Sequence, residues 1–421
     1  MANVPSIPRI PSIPSVGGVG GGVPYALQTL TFTGGLITDA VRAAGVEGDG
    51  LTPPAGVGIW PAATNLVTNG GAETGTTGWT QTGSANIFSR STTRAKFGSA
   101  SFRLLRDATA GILGMQTANI AVTGGATYTV SGFFNSQVGT VGNIAIKIRE
   151  ITGGTAAVQT TGTTLTTDEW GRLSASLTMG ASVTAARVEI VFNSGSDGDD
   201  VFVDGIQFET GSIATPYIET DGGTASRTAG RIQLPVDGLF TETQGAVFAR
   251  FTPDWSALPN SNPMVISWWD AVSNRLECYV ATTTTLAMIR QAAGSGASDS
   301  GTMTAVAQGT PVSGAWAWTA TNLGVSANGA AFGTRTANSS IPTLAATSAD
   351  LGSRAGSSVY IDSNVLWFAT FAGTLTDADA TALDAFGDTP PTPSMLVNAC
   401  LPAADPTSLW ACVDNVFQRI W

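Results

Sequence analysis

NIAIKIREI, residues 143–151, places a large aliphatic side chain at every second position. Successive side chains of a β-strand point to opposite faces, so Ile144, Ile146 and Ile148 share one face of a strand. Runs of the same period occur on both sides of it: ASFRLLR (100–106), ATYTVSGFF (126–134), GRLSASLTM (171–179), AARVEIVFN (185–193) and DVFVDGIQFE (200–209). Several short strands at this spacing, separated by glycine, asparagine and threonine, predict an all-β sandwich or barrel.

A second series of strand-like runs begins near residue 236. Its clearest members are GAVFARFTP (245–253), PMVISWWDA (263–271), RLECYVAT (275–282), AWAWTAT (315–321) and SVYIDSNVLWFATF (358–371). LTDADATALDAF (375–386) is the one good helix signal. No long stretch of period 3.6 separates the strands, which argues against α/β winding. The predicted fold class is all-β, with two tandem β-sandwich (jelly-roll) domains behind an extended proline-rich N-terminal anchor.

That anchor is VPSIPRIPSIPSV, residues 4–16, in which an aliphatic residue precedes each proline. Proline fixes φ and holds the preceding residue extended, so the run is predicted to be a polyproline II rod roughly 40 Å long. A rod has no interior of its own, so we expect it to dock in a groove of another protein. A disordered proline-rich tail is the alternative. The predicted anchor residues are Ile7, Pro8, Ile10, Pro11, Ile13 and Pro14.

The chain is expected to divide into five parts. They are a proline- and glycine-rich anchor and joint (1–24), a connecting β segment (25–64), a first sandwich (65–220), a second sandwich (221–388) and a C-terminal coda (389–421). The coda is too short to form a core alone. Its two cysteines, Cys400 and Cys412, are either a disulfide pair or two free thiols.

Charge and residue types argue against several function classes. Only 12% of the 421 residues are charged and the net charge is −11, so no nucleic-acid partner is expected. Histidine is absent, which removes Ser-His-Asp and Cys-His catalysis and every histidine-ligated zinc site. The apolar stretches are shorter than the ~20 residues that a membrane span needs. No motif singles out a pair of catalytic carboxylates, so no enzyme activity is predicted.

Three segments together resemble the carbohydrate-binding-module-like jelly rolls: NLVTNGGAETGTTGW (65–79), EWGRLSASLT (169–178) and DVFVDGIQFETGSIATPYIET (200–220). In that family an Asn-rich opening leads to a Glu, a Trp precedes a mid-domain strand, and a Val-Asp strand closes the fold. Glu73, Trp170 and Asp204 match these features. The resemblance implies a structural calcium ion held by Glu73 and Asp204 with backbone carbonyls. Two surface carboxylates in turns are the alternative.

The second half resembles the laminin-G or concanavalin-A-like sandwich in FTETQGAVFARFTPDW (240–255) and VLWFATFAGTLTDADATAL (365–383). The two modules, joined by PYIETDGGTASRTAGRIQLP (216–235), are similar in combination to virion proteins of tailed bacteriophages and prophages. This resemblance implies a head or tail fibre or spike on the virion. Residues 1–24 would then attach to capsid, collar or tail proteins, and a homo-oligomer, a trimer, is expected.

Sugar-binding sites stack an aromatic ring on the apolar face of a sugar and place amides or carboxylates on its hydroxyls. Trp79, Trp255 and Trp268 are the candidates for this role, with core packing as the alternative. Trp268 and Trp269 are neighbours in one strand-like run, so their side chains must point to opposite faces.

The preferred hypothesis is a bacteriophage virion structural protein that aids adhesion to host-surface glycans through many weak contacts. One alternative is a secreted carbohydrate-binding or glycan-degrading protein. It predicts a signal peptide, for which the first residues are a poor fit because they have no continuous apolar region. The other alternative is a capsid decoration protein that binds no sugar.

Overall fold

The structure is a computed structural model of the chain. It describes residues 31–33, 57–83, 86–106, 113–136, 144–162, 170–236, 241–259, 262–354, 359–371, 373–388, 406–413 and 416–419. The predicted anchor residues Ile7 to Pro14 and Cys400 lie outside these ranges, as does the side chain of Cys412.

Three short strands precede the first sandwich: β1 (Thr31–Thr33), β2 (Val57–Ile59) and β3 (Ala63–Asn65). The strands of the first sandwich are β4 (Trp79–Thr82), β5 (Asn86–Ser91), β6 (Ser101–Arg106), β7 (Leu113–Thr117), β8 (Ile120–Ala121), β9 (Thr127–Ser136), β10 (Ile144–Thr152), β11 (Ala157–Gly162), β12 (Gly171–Thr178), β13 (Ala185–Phe192) and β14 (Asp200–Thr210).

These strands form two antiparallel sheets. Sheet I has the order β11-β10-β13-β7-β4, with β8 also paired to β13, and sheet II has the order β12-β9-β14-β6-β5. Ile144, Ile146 and Ile148 of β10 are fully buried in the core between the sheets, facing side chains such as Phe102 and Phe134 of sheet II. Burial of each such side chain stabilises the fold by about 1.5–3 kcal/mol. The period-two pattern therefore did predict the core face of β10.

The second half contains β15 (Ala225–Arg227), β16 (Arg231–Pro235), β17 (Gly245–Pro253), β18 (Met264–Ala271), β19 (Asn274–Thr282), β20 (Thr285–Ala292), β21 (Ser295–Thr302), β22 (Val312–Trp318), β23 (Asn322–Ala327), β24 (Thr336–Ala337), β25 (Ser348–Leu351), β26 (Ser363–Phe371), helix α1 (Asp377–Asp384), β27 (Pro406–Val413) and β28 (Val416–Arg419).

Two large antiparallel sheets pack together here. Sheet III has the order β1-β16-β25-β18-β19-β20-β21, and sheet IV has the order β24-β23-β22-β17-β26-β27-β28, with β2 also paired to β26. The core between them includes the fully buried Trp316 and Trp318 of sheet IV and Leu276 and Cys278 of sheet III. Burial raises the pKa of the Cys278 thiol well above its ordinary value, which keeps it protonated.

Helix α1 lies where the sequence predicts it. Thr376 accepts a hydrogen bond from the backbone N–H of Asp379, and the Asp379 carboxylate accepts one from the backbone N–H of Thr376. This reciprocal capping box fixes the start of the helix. Ala380 and Leu383 then pack in an apolar cluster with Phe248 of sheet IV, on the face of that sheet opposite the main core.

The chain enters and leaves the first sandwich through one ribbon, because β3 pairs with β15. On either side of this ribbon the chain joins the second sandwich. β2 pairs with β26 in sheet IV, while β16 lies between β1 and β25 in sheet III. Arg227 of the ribbon donates a hydrogen bond to the carbonyl of Pro216, at 2.9 Å.

The observed strands and single short helix confirm the predicted all-β, β-sandwich fold for the described ranges. Within those ranges, no helix has the length and apolar character needed to cross a membrane.

Candidate functional site

The outer face of sheet I carries charged side chains on β10. Because Ile146 and Ile148 point into the core, their neighbours Lys147 and Arg149 point away from it. About 17% of the Lys147 side chain and 40% of the Arg149 side chain are exposed, so both cations reach the surface.

Strand β13 brings two more charged residues to this face. Its register with β10 pairs Lys147 with Glu189 and Arg149 with Arg187. Directly opposed residues of an antiparallel pair lie on the same face, so these four side chains form one cluster.

The cluster belongs to a polar row that crosses all five main strands of sheet I. The pairings Gln159 with Lys147, Lys147 with Glu189, Glu189 with Gln116, and Gln116 with Thr80 align one residue from each strand. Neighbouring strands are about 4.8 Å apart, so the row spans roughly 19 Å. Gln159 and Thr80 are exposed at its ends, and Gln116 is half-buried.

A second row, beside the first, consists of small residues and is closed to solvent. Ala145 and Val191 point away from the core, yet they are only 0% and 4% exposed. Gly114 follows in the register, and a Cβ atom there would lie 1.9 Å from the carbonyl oxygen of Ile190. The accessible part of the outer face therefore consists of the two ends of the polar row, Gln159 and Thr80, and the arginines next to the row, whereas Glu189 at its centre is only 7% exposed.

Glu189 is the centre of an ion-pair network. Arg149 donates to both of its carboxylate oxygens, at 2.6 and 3.2 Å, and the Lys147 ammonium lies 3.6 Å from the second oxygen. Hydrogen bonding to Glu189 raises the pKa of the Arg149 guanidinium above its ordinary value. Arg187 is bound differently, since it donates to the amide oxygens of Gln116 at 2.8 Å and Asn119 at 3.1 Å.

The three tryptophans predicted to stack on sugars lie in the cores. Trp79 is only 6% exposed and donates its indole N–H to the carbonyl of Asn69 at 2.8 Å. Trp255 and Trp268 are 2% and 4% exposed, and their indole N–H groups donate to the carbonyls of Ile361 and Ala346. A ring enclosed in this way offers no free face to a sugar. Instead of three stacking platforms, the structure has three core side chains with satisfied N–H groups.

Trp269 points to the opposite side of β18 from Trp268, as strand geometry requires. The guanidinium groups of Arg275 and Arg354 lie 5.3 and 4.7 Å from the centre of its ring. Both arginines also bind the carboxylate of Glu277, which is 1% exposed. We interpret this group as a structural ion-pair network on the outer face of sheet III.

Glu73 and Asp204, the residues of the calcium hypothesis, both bind the loop at residues 96–100. Glu73 accepts hydrogen bonds from the backbone N–H groups of Ser99 and Ala100, at 2.8 and 2.9 Å. Burial acts to raise the pKa of Glu73, but these bonds outweigh it and lower the pKa below its ordinary value. Asp204 accepts from the backbone N–H groups of Lys96 and Phe97, and burial raises its pKa to about 7.

This set of partners does not fit a calcium site as it stands. Calcium needs six to eight oxygen ligands, whereas the partners of Glu73 and Asp204 here are N–H groups and the Ser99 hydroxyl. Across the described part of the chain, no three aspartate, glutamate or cysteine side chains come close enough to hold a metal ion. The structure shows a loop anchored by two carboxylates, and calcium binding stays a prediction.

Sequence reasoning did not select Lys147, Arg149, Arg187, Glu189 or Gln116. The alternation that identifies β10 and β13 as strands also places their charged residues on one face. It does not give the register between the strands, and that register is what aligns Lys147 with Glu189.

Comparison with known proteins gives one family match and several similar folds. Residues 64–200 match the family described as "Carbohydrate binding domain". Similar solved structures include a family 16 carbohydrate-binding module, at 19% identity and a TM-score of 0.28, over 34% of this chain and 99% of that one.

The enzymatically active domain of tailspike protein 4 of bacteriophage CBA120 matches at 14% identity and a TM-score of 0.29. This match covers 35% of this chain and 21% of the tailspike chain. A search of curated proteins finds no match. Residues 64–200 are therefore a carbohydrate-binding-module-like domain with a jelly-roll sandwich fold.

Proposed function

We propose that the protein binds glycans on the outer face of sheet I. The observation that carries this proposal is the polar row of Gln159, Lys147, Glu189, Gln116 and Thr80. All five residues lie within the segment 64–200 that matches the carbohydrate binding domain family. Amides and a hydroxyl are groups that bind sugar hydroxyls, and Gln159, Gln116 and Thr80 supply them along a row that suits an extended chain of sugars. Glu189 holds Arg149 in place within this row.

The row also predicts how strong the binding is. None of the five side chains is aromatic, so each site lacks the large apolar contact that a stacked ring supplies. We expect weak binding by a single copy. Several copies on one particle or surface would strengthen it through effective concentration.

A glycan array probed with the full chain tests this proposal. Gln159→Ala removes an exposed amide at one end of the row, and we expect it to weaken binding about three- to tenfold. Gln81→Ala is the matched control, because Gln81 is also exposed but lies on the alternate position of β4, outside the row. Equal loss in both variants, or no array signal from the wild-type protein, would contradict the proposal.

For the biological setting, we propose a bacteriophage virion protein, namely a head or tail fibre or spike. The support comes from the sequence: the resemblance described above and the regular apolar stripes of residues 4–16. In this proposal residues 1–24 attach to the particle, the protein is a trimer, and glycan binding aids contact with the host. Deletion of residues 2–16 should abolish incorporation into particles while both sandwiches still fold. Full occupancy of the truncated protein would disprove the anchoring role.

A secreted glycan-binding protein is the second candidate, because the same family match supports it equally. The number of copies of the protein on purified phage particles separates the two settings. A virion protein would be present in a fixed copy number, whereas a secreted protein would be absent from the particle. We propose a non-catalytic role in either setting, so incubation with a bound polysaccharide should release no sugar. A decoration protein that binds no sugar would be found on particles but would give no array signal.

A further inference from the structure

We infer that the glycan is acidic, and that Arg187, Arg149 and Lys147 bind the carboxylates of uronic-acid-type sugars. This inference rests on the proposed glycan binding by sheet I. It adds the chemical class of the ligand.

The first argument is the local excess of positive charge. The whole chain has a net charge of −11, with 19 basic and 30 acidic residues. On the outer face of sheet I the charge balance is reversed. Three basic residues, Lys147, Arg149 and Arg187, lie there, and Glu189 is the one acidic residue among the described residues of that face. A basic face on an acidic protein attracts anions to that face in particular.

The second argument is that Arg187 has no carboxylate partner among the residues that the structure describes. Its two described hydrogen bonds go to the neutral amide oxygens of Gln116 and Asn119. Glu189, the adjacent carboxylate, is already bound by Arg149 on both oxygens and lies near Lys147. The positive charge of Arg187 is therefore not neutralised by an ion pair within the described structure.

The third argument is the position of Arg187 directly opposite Arg149 in the β10–β13 register. Like charges directly opposed across two strands destabilise a sheet. Stability alone would favour a neutral or acidic residue at one of the two positions. A bound anion shared by the two guanidinium groups would reverse this cost, because each group keeps N–H donors beyond those that bind Glu189, Gln116 and Asn119.

The amide partners also orient Arg187 without neutralising it. Gln116 and Asn119 hold two of its nitrogens in a fixed direction, and a guanidinium has five N–H donors in all. A preoriented, charged side chain next to the partly exposed Arg149 is what recognition of an acidic sugar requires.

Binding of the full chain to polygalacturonate, dextran sulfate and a neutral β-glucan tests the inference, at ionic strengths from about 0.05 to about 0.5 M. We expect the tightest binding to polygalacturonate, and a Kd that weakens about tenfold or more as salt rises. Arg187→Gln should weaken this binding about three- to tenfold, and Arg187→Lys should weaken it less, because lysine keeps the charge but loses the guanidinium held by Gln116 and Asn119. Lys147→Gln gives the same test at a second position should Arg187→Gln fail to fold.

Arg90→Gln is the matched control, because Arg90 is an exposed arginine of the same sandwich but lies on sheet II. It should leave binding unchanged. Equal loss in Arg90→Gln, tighter binding of dextran sulfate, or equal binding of a DNA oligonucleotide would indicate general attraction of polyanions and would overturn the inference. Salt-independent binding of the neutral β-glucan alone would overturn it too, while leaving the proposed glycan binding intact.

Discussion

The Asp204 carboxylate, on the closing strand of the first sandwich, accepts the backbone N–H of Phe97 at 2.9 Å. The same oxygen accepts the N–H of Lys96 at 2.7 Å, and the other oxygen accepts the N–H of Gly205. Asp204 is 0% exposed, so its bonds to Lys96 and Phe97 hold the loop at residues 96–100 against a fully buried carboxyl group. Burial is also the main cause that raises its pKa to about 7.

The raised pKa predicts that stability falls as pH rises through the range where Asp204 ionises. In the unfolded chain its pKa is near the ordinary 3.8, so between pH 4 and 7 the folded state binds more protons than the unfolded state. From pH 5 to pH 7 this single group should lower the free energy of unfolding by about 2 kcal/mol. The buried Glu209, whose pKa is also raised, acts in the same direction, and Glu73, whose pKa is lowered, acts in the opposite one.

Urea denaturation of the wild-type protein and of Asp204→Asn, each at about pH 5 and about pH 7, isolates the contribution of Asp204 to the free energy of unfolding. We expect Asp204→Asn to be less stable overall, because an amide cannot accept as many N–H bonds, but to have a smaller pH dependence. The same pH dependence in both proteins would contradict the assigned pKa.

Asn65→Ala should strongly destabilise the first sandwich. The Asn65 amide donates to the carbonyls of Ile206 and Ile218, at 3.1 and 3.0 Å, and its oxygen accepts the N–H groups of Val67 and Phe208. All four bonds are buried, so loss of the side chain leaves unsatisfied groups and costs about 3–5 kcal/mol. Thermal unfolding measures the effect, with Asn193→Ala at an exposed position as the control. A loss no larger than that of the control would show that these bonds contribute little.

Gly114→Ala should disrupt the pairing of β7 with β13. The added Cβ would lie 1.9 Å from the Ile190 carbonyl oxygen, so one of the two backbones must move. We expect a loss of about 2–4 kcal/mol in the free energy of unfolding, measured by denaturant titration. Gly171→Ala is the control, because its Cβ would meet nothing within 4 Å. Equal stability of the two variants would argue against the described register.

Trp255→Phe should lower stability without a specific loss of glycan binding. The change leaves the Ile361 carbonyl without its indole donor and removes part of a fully enclosed ring, at a cost of about 2–3 kcal/mol. Thermal unfolding and the glycan array are the two measurements. A variant with unchanged Tm and no array signal would restore Trp255 as a sugar contact.

Removal of divalent metal should leave thermal stability nearly unchanged. Glu73 and Asp204 already have N–H and O–H partners, so the loop is held without an ion. We expect equal Tm values in EDTA and in millimolar calcium. A higher Tm in calcium that disappears in Glu73→Gln would instead support the calcium site that the family resemblance implies.

Local patterns predicted much of the fold. The alternation in NIAIKIREI identified β10 and its core face, and LTDADATALDAF identified α1 near its observed ends, Asp377 and Asp384. Both signals are contained within one element, where side-chain direction follows from strand or helix periodicity alone.

Features that depend on distant segments could not be predicted in the same way. The pairing of β2 with β26 joins segments about 300 residues apart, and no local pattern encodes it. The charge cluster on sheet I likewise depends on the register of β10 with β13. Trp79 and Trp255 were ambiguous for a related reason, since a large aromatic ring suits a core and a sugar equally well.

The β3–β15 ribbon has a consequence for how such a protein can change over time. Because the chain enters and leaves the first sandwich on two hydrogen-bonded neighbours, the module behaves as a cassette with adjacent ends. A different module with similarly spaced termini could be exchanged at this ribbon, while β2 and β16 keep their places in the second sandwich. Recombination at this one junction could then change what the first sandwich binds, without any change in sheets III and IV of the second sandwich.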